Sequence, residues 1–115
     1  MVACKWGKTV TMNLNRTKLV VLVCEEALEA IIVPELLAAG ARGYTVCEAR
    51  GRGSRGVQDA RWLLSSNVRI EILCNAEVAR RIVEIIVTKY SDNFAVVVYT
   101  LDVETEATSS DACET

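Results

Sequence analysis

The densest run of chemistry-bearing residues extends from Gly40 to Gly56, GARGYTVCEARGRGSRG. Continued to Arg61, it carries Arg42, Arg50, Arg52, Arg55 and Arg61 against Glu48 and Asp59, a local charge of +3 in a chain of formal net charge −2, so the remainder holds −5. Gly51, Gly53 and Gly56 let backbone N–H groups approach an anion, and Arg52 and Arg55 can pair with its oxygens. The chemistry favoured is local binding of phosphate or a similar anion. Gly and Arg also build plain solvated hairpin loops, so the cluster alone leaves both readings open.

Other chemistries have less to stand on. There is no His, and the five cysteines at 4, 24, 47, 74 and 113 form no C-x-x-C pair, so no metal site is expected. Cys24, Cys47 and Cys74 lie in or beside apolar runs and read as small hydrophobes, whereas Cys4 and Cys113, in polar termini, read as free thiols rather than a disulfide. No nucleophile elbow and no paired buried carboxylates emerge. Glu48 and Glu71 read as solvated strand positions, so the chain is not expected to be an enzyme. A pI near 5.2 argues against a protein that coats nucleic acid or anionic membrane. No apolar run of about 18 residues exists, and the N-terminal stretch lacks the apolar centre of a signal peptide, so the protein is expected in the cytoplasm.

The elements that must hold this cluster can be read along the chain. At 115 residues and 51% hydrophobic content, one compact domain is expected, large enough to bury roughly 60 to 70% of its unfolded surface. KLVVLVC, Lys18 to Cys24, is a β-branched apolar run that fits a buried strand. Glu25 to Ala39 reads as helix, with Leu28, Ile31, Ile32, Leu36 and Ala39 on one stripe and Gly40 as its stop. Pro34 either kinks it or confines it to residues from about Val33 onward. Strands follow at Tyr44 to Ala49 and Val68 to Cys74. Asn75 is placed to cap a helix over Ala76 to Lys89, with Ala79, Ile82, Val83 and Ile86 facing inward. Ala95 to Leu101 is the last strand, and the acidic, Ser- and Thr-rich remainder is expected to be disordered.

The order strand, helix, strand, strand, helix, strand gives an α+β, ferredoxin-like βαββαβ domain: a four-stranded antiparallel sheet with two helices on one face. The first strand then lies inside the sheet, with Leu19, Val21 and Val23 on one face and Val20, Leu22 and Cys24 on the other. Helices can cover only one face, so the other implies association with further copies. On this reading Val20→Glu is expected to disrupt assembly. Small phosphatases of this shape hold their anion in the turn after strand one, but here that turn carries Glu25, Glu26 and Glu29, which repel phosphate. RNA-recognition domains share the topology, yet VRIEILC has no aromatic platform. Ser54 to Asn67 is too long for a tight turn, and its Trp62, Leu63 and Leu64 either pack back on the sheet or meet a partner.

GARGYTV, followed after four residues by GRGSR, then a long loop, VRIEI and TKY ahead of the last strand, resembles the PII-like signalling proteins of carbon metabolism. The likeness is to the branch that includes the carboxysome-associated PII-like protein and the regulator of the bicarbonate transporter. It covers roughly residues 17 to 104, leaving 1–16 as a flexible extension, with Met12 as an alternative start, and 105–115 as a disordered acidic tail. The resemblance implies a homotrimer that binds adenine nucleotide, ADP or AMP and also ATP or cyclic AMP, between neighbouring subunits as an effector rather than a tightly bound cofactor. By position, Gly43, Tyr44 and Thr45 would line the nucleoside side. Gly51, Arg52, Gly53, Ser54 and Arg55 would open the mobile T-loop, about 51–67, and hold phosphates. Lys89 and Tyr90 of the adjacent subunit, with Glu71, would complete the pocket.

The family's response to inorganic carbon implies bicarbonate near Arg52 and Arg55, and a protein target reached through the T-loop, such as a bicarbonate transporter or a carboxysome-linked protein. A weak nucleotide hydrolase using the same cleft is the alternative. Transporter-regulator members often end in a redox-active Cys-Gly-Pro-Glu-Gly-Cys hairpin, whereas this chain ends in SSDACET with Cys113 alone, which favours the carboxysome-associated type. The loop also lacks the tyrosine that nitrogen-sensing relatives can have uridylylated.

Overall fold

The computed structural model describes residues 2–5, 8–11, 13–51 and 66–106, the first two segments by their backbone. Its strands are β1 (Val2–Lys5), β2 (Lys8–Thr11), β3 (Leu14–Glu25), β4 (Thr45–Ala49), β5 (Asn67–Cys74) and β6 (Val97–Glu106). The helices are α1 (Glu29–Ala38), entered through a 3-10 turn at Glu26–Leu28, and α2 (Ala76–Lys89). β4, β5, β3 and β6 form, in that order, a four-stranded antiparallel sheet. The β-branched first strand of that sheet, β3, is central, as its two apolar faces require.

One face of the sheet is closed by the helices. Val20, Leu22 and Cys24 of β3 and Val68, Ile70 and Ile72 of β5 pack with Ile32, Val33 and Leu36 of α1 and Val78, Ala79, Ile82 and Ile86 of α2. The stripe on α2 therefore includes Val78, with Val83 only half-buried. On α1, Val33 rather than Ile31 is buried, and Ile31 stays 57% exposed. Pro34 lies inside α1, so the helix starts well before Val33. Pro34 and Ala30 both face solvent, and the Ala30 carbonyl that loses its intrahelical donor can be hydrated.

Both helices have defined ends. At the C-terminus of α1, Gly40 N–H donates to the Leu37 carbonyl and Ala41 N–H to that of Leu36, each at 3.1 Å, with Gly40 at φ 118°. This is a Schellman motif, which needs the positive φ that glycine adopts without strain. Arg81 Nη1 reaches across from α2 and donates to the Ala39 carbonyl at 2.9 Å, satisfying a further end group. Asn75 Oδ1 accepts from Val78 N–H at 2.8 Å, the cap expected at the start of α2.

The chain ends are more structured than composition suggests. β1 and β2 pair as a hairpin in place of an unstructured arm. β3 begins at Leu14, and its pairing with β6 runs from Leu14 with Glu106 to Val23 with Val97. Thr105 and Glu106, assigned by composition to the tail, are thus strand residues, because β3 supplies a partner for every step of the ladder. Asn67, counted with the loop, is the buried first residue of β5.

Candidate functional site

The positions singled out in the sequence fall into two groups on opposite sides of the sheet. Thr45, the first residue of β4, is the cross-strand partner of Glu71. Both belong to the face turned away from the helices, in register with Val21. Glu71 Oε2 accepts from Arg69 Nε at 2.8 Å, an ion pair two residues along the same strand. Tyr44, immediately before β4, is 44% exposed. A side chain built at Gly43 or at Gly51 would meet nothing within 4 Å, so neither position is crowded on its side-chain side. Cys47 lies on this same face and is exposed, not packed as its apolar neighbourhood suggested, because β4 is the sheet edge.

Lys89 and Tyr90 belong to the helical layer. Tyr90 is buried with the core at the end of α2, its ring 6.0 Å from that of Phe94. Its hydroxyl donates to Glu35 Oε1 on α1, while the Lys89 ammonium binds Glu35 Oε2. The two donors hold the Glu35 carboxyl below the ordinary carboxylate range, and the same contact pushes the Tyr90 hydroxyl up to about 12. Nothing in the sequence marks Glu35 as a site residue. It sits four residues before Ala39 on an ordinary helical face, and no spacing rule links it to a residue 54 positions away.

With the sheet between them, one protomer does not offer Thr45 and Glu71 on the same surface as Lys89 and Tyr90. A pocket using both groups must be completed by a second chain or wrap around the β4 edge. Arg52, Gly53, Ser54 and Arg55, most of the T-loop including Trp62, and Cys113 lie outside the described residues. The acidic turn that argued against an anion at the end of β3 is present, with Glu26 N–H donating to the Ser66 carbonyl at 2.9 Å. Cys24, buried there, has its thiol pushed up to about 11 by burial, then by Glu29 and Glu25, which leaves it protonated and unreactive. Among the described residues no helix is long and apolar enough to cross a membrane.

The family model for nitrogen regulatory protein P-II matches residues 17–109. The chain belongs to the P-II family. A solved structure of a protein described as a PII-like signaling protein, from Thermus thermophilus, is 39% identical, with a TM-score of 0.68 over 82% of this chain and 93% of that one. CPII from Thiomonas intermedia, a nitrogen regulatory PII-like protein solved with ADP, AMP and bicarbonate, has a TM-score of 0.67 at 21% identity, over 81% of this chain and 96% of its own. Its complex with ADP and bicarbonate has a TM-score of 0.71 at 20% identity, over 84% and 95%. At that identity CPII shares the P-II fold. The sheet order and paired helices described above are the ferredoxin-like fold of the P-II family.

Proposed function

We propose that this P-II family member is a non-enzymatic sensor that binds ADP or AMP, with bicarbonate as co-effector, and signals through its T-loop to a protein target in inorganic-carbon metabolism. The observation that carries the reading is the family match over 17–109, together with CPII, whose structures contain ADP, AMP and bicarbonate. The Gly-Arg run from Gly51 to Arg55 supplies the anion chemistry such ligands need.

The working assembly is a homotrimer. Outside the helical layer, Leu73, Val97, Tyr99 and Leu101 are 40 to 45% exposed in a single protomer. They share a face with Leu19 and Val23, half-buried in the protomer, and with Val21, already fully buried there; the exposed part of this apolar face is what other copies would cover. In that assembly Gly43, Tyr44, Thr45 and Glu71 of one subunit face a nucleotide. Lys89 and Tyr90 of the next complete its pocket, and Arg52 and Arg55 hold phosphate and bicarbonate.

Calorimetry with ADP, with and without bicarbonate, tests the reading. ADP is expected to bind, and bicarbonate to tighten it by the same factor by which ADP tightens bicarbonate. Arg55→Ala is expected to weaken ADP roughly tenfold to a hundredfold by removing a charge-assisted contact. Unchanged ADP binding in that variant overturns the phosphate role, and independent binding of the two ligands overturns the role of bicarbonate as co-effector.

A further inference from the structure

Lys89 stands at the end of α2 with its side chain 58% exposed, and its ammonium rests on the Glu35 carboxylate. The two partners of that carboxylate differ. Tyr90 is only 8% exposed, is packed beside Phe94 and belongs to the core. Its hydroxyl fixes one carboxylate oxygen in place. Lys89 holds the other oxygen from solvent, on a flexible four-carbon stem. If an incoming anion takes the ammonium, Lys89 moves and Glu35 stays, so a negative charge remains beside the place the anion enters.

We propose that Glu35 is an affinity-setting counter-ion: it occupies Lys89 when the nucleotide site is empty, and the phosphates of a bound nucleotide must take Lys89 from it. This rests on the reading that Lys89 completes the nucleotide pocket, where a lysine's charge has the phosphates as its natural partner. Two effects act in the same direction. The Glu35–Lys89 contact is broken on binding, and the remaining carboxylate repels the anion. Both vanish for a ligand without charge. Exposed ion pairs of this kind are weak, so the brake is a mild one, about two- to fivefold in affinity.

Glu35→Gln keeps the volume and still offers Tyr90 an acceptor, but removes the charge. Binding of ADP and of adenosine would be measured by calorimetry for the natural chain, for Glu35→Gln, for Lys89→Met and for the double variant. The expected result is a Kd for ADP lower by about two- to fivefold in Glu35→Gln, no change for adenosine, and loss of the gain when Lys89 is also replaced. An ADP affinity in Glu35→Gln that is unchanged or weaker overturns the inference, since Glu35 would then merely position Lys89. An equal gain for adenosine overturns it too, by pointing to a reshaped pocket. Failure of the natural chain to bind ADP removes the functional reading itself and is visible before any variant is compared. Should Glu35→Gln lose its helical circular dichroism, Glu35→Asp, which withdraws the carboxylate by one methylene, is expected to shift ADP in the same direction and is judged by the same outcomes.

Discussion

A methyl group added at Gly40 would stand 3.0 Å from Val78 Cγ2, and the backbone there has φ 118°. Two independent demands thus meet at one residue: the Schellman turn wants a positive φ, and α2 wants close approach. Neither is relieved by moving a flexible side chain tip, because Val78 is itself buried against the core. Gly40→Ala is expected to cost roughly 1–3 kcal/mol, read from urea unfolding followed by circular dichroism. Loss of less than half of the lower figure would mean that the α1–α2 corner relaxes more freely than its geometry implies.

The two helices are tied to each other at two points, by Arg81 on the Ala39 carbonyl and by Lys89 and Tyr90 on Glu35. The second tie has a pH signature with two limbs. Folding raises the Tyr90 hydroxyl, so the stability from its hydrogen bond is complete below the ordinary tyrosine value of 10.0 and is lost as pH rises through about 12. Folding lowers Glu35, so its share is present above the ordinary carboxylate value and is lost as pH falls through the depressed one. In a spectrophotometric titration of the folded protein, one tyrosine is expected to ionise near pH 12, and Tyr90→Phe is expected to remove that step. A titration with no tyrosine step near pH 12, or one that keeps that step in Tyr90→Phe, would contradict the clamp.

At the scale of the whole molecule, the two faces of the sheet have different tasks, and they separate two substitutions that look alike. Val20 is fully buried on the helical face, within the core of a single protomer. Val20→Glu, which the sequence suggested as a probe of assembly, is instead expected to unfold the protomer, because it would bury an unpaired charge. Leu101 is 44% exposed on the opposite face, in register with Leu19. Leu101→Glu is expected to leave the circular dichroism spectrum intact while converting a trimer to monomer in sedimentation equilibrium. A Leu101→Glu protein that remains trimeric would locate the subunit contact elsewhere.

Much was settled by local pattern. The β-branched run at 18–24, the capped amphipathic helix at 76–89 and the glycine stop at 40 reflect short-range causes: side-chain periodicity, orphan N–H groups and positive φ. The Gly-Arg cluster was equally legible, because charge and glycine content need no tertiary information. Tertiary structure alone decided how far the strands extend. Leu14–Arg16 and Thr105–Glu106 have ordinary strand propensity, and they pair because each finds the other across the ladder. It also decided which apolar face of β3 belongs to the core, a choice that alternation leaves symmetric until the helices dock on one side. Glu35 is the clearest case. Its partners lie 54 and 55 residues away, and only the packing of α1 against α2 brings a carboxylate onto Lys89 and Tyr90.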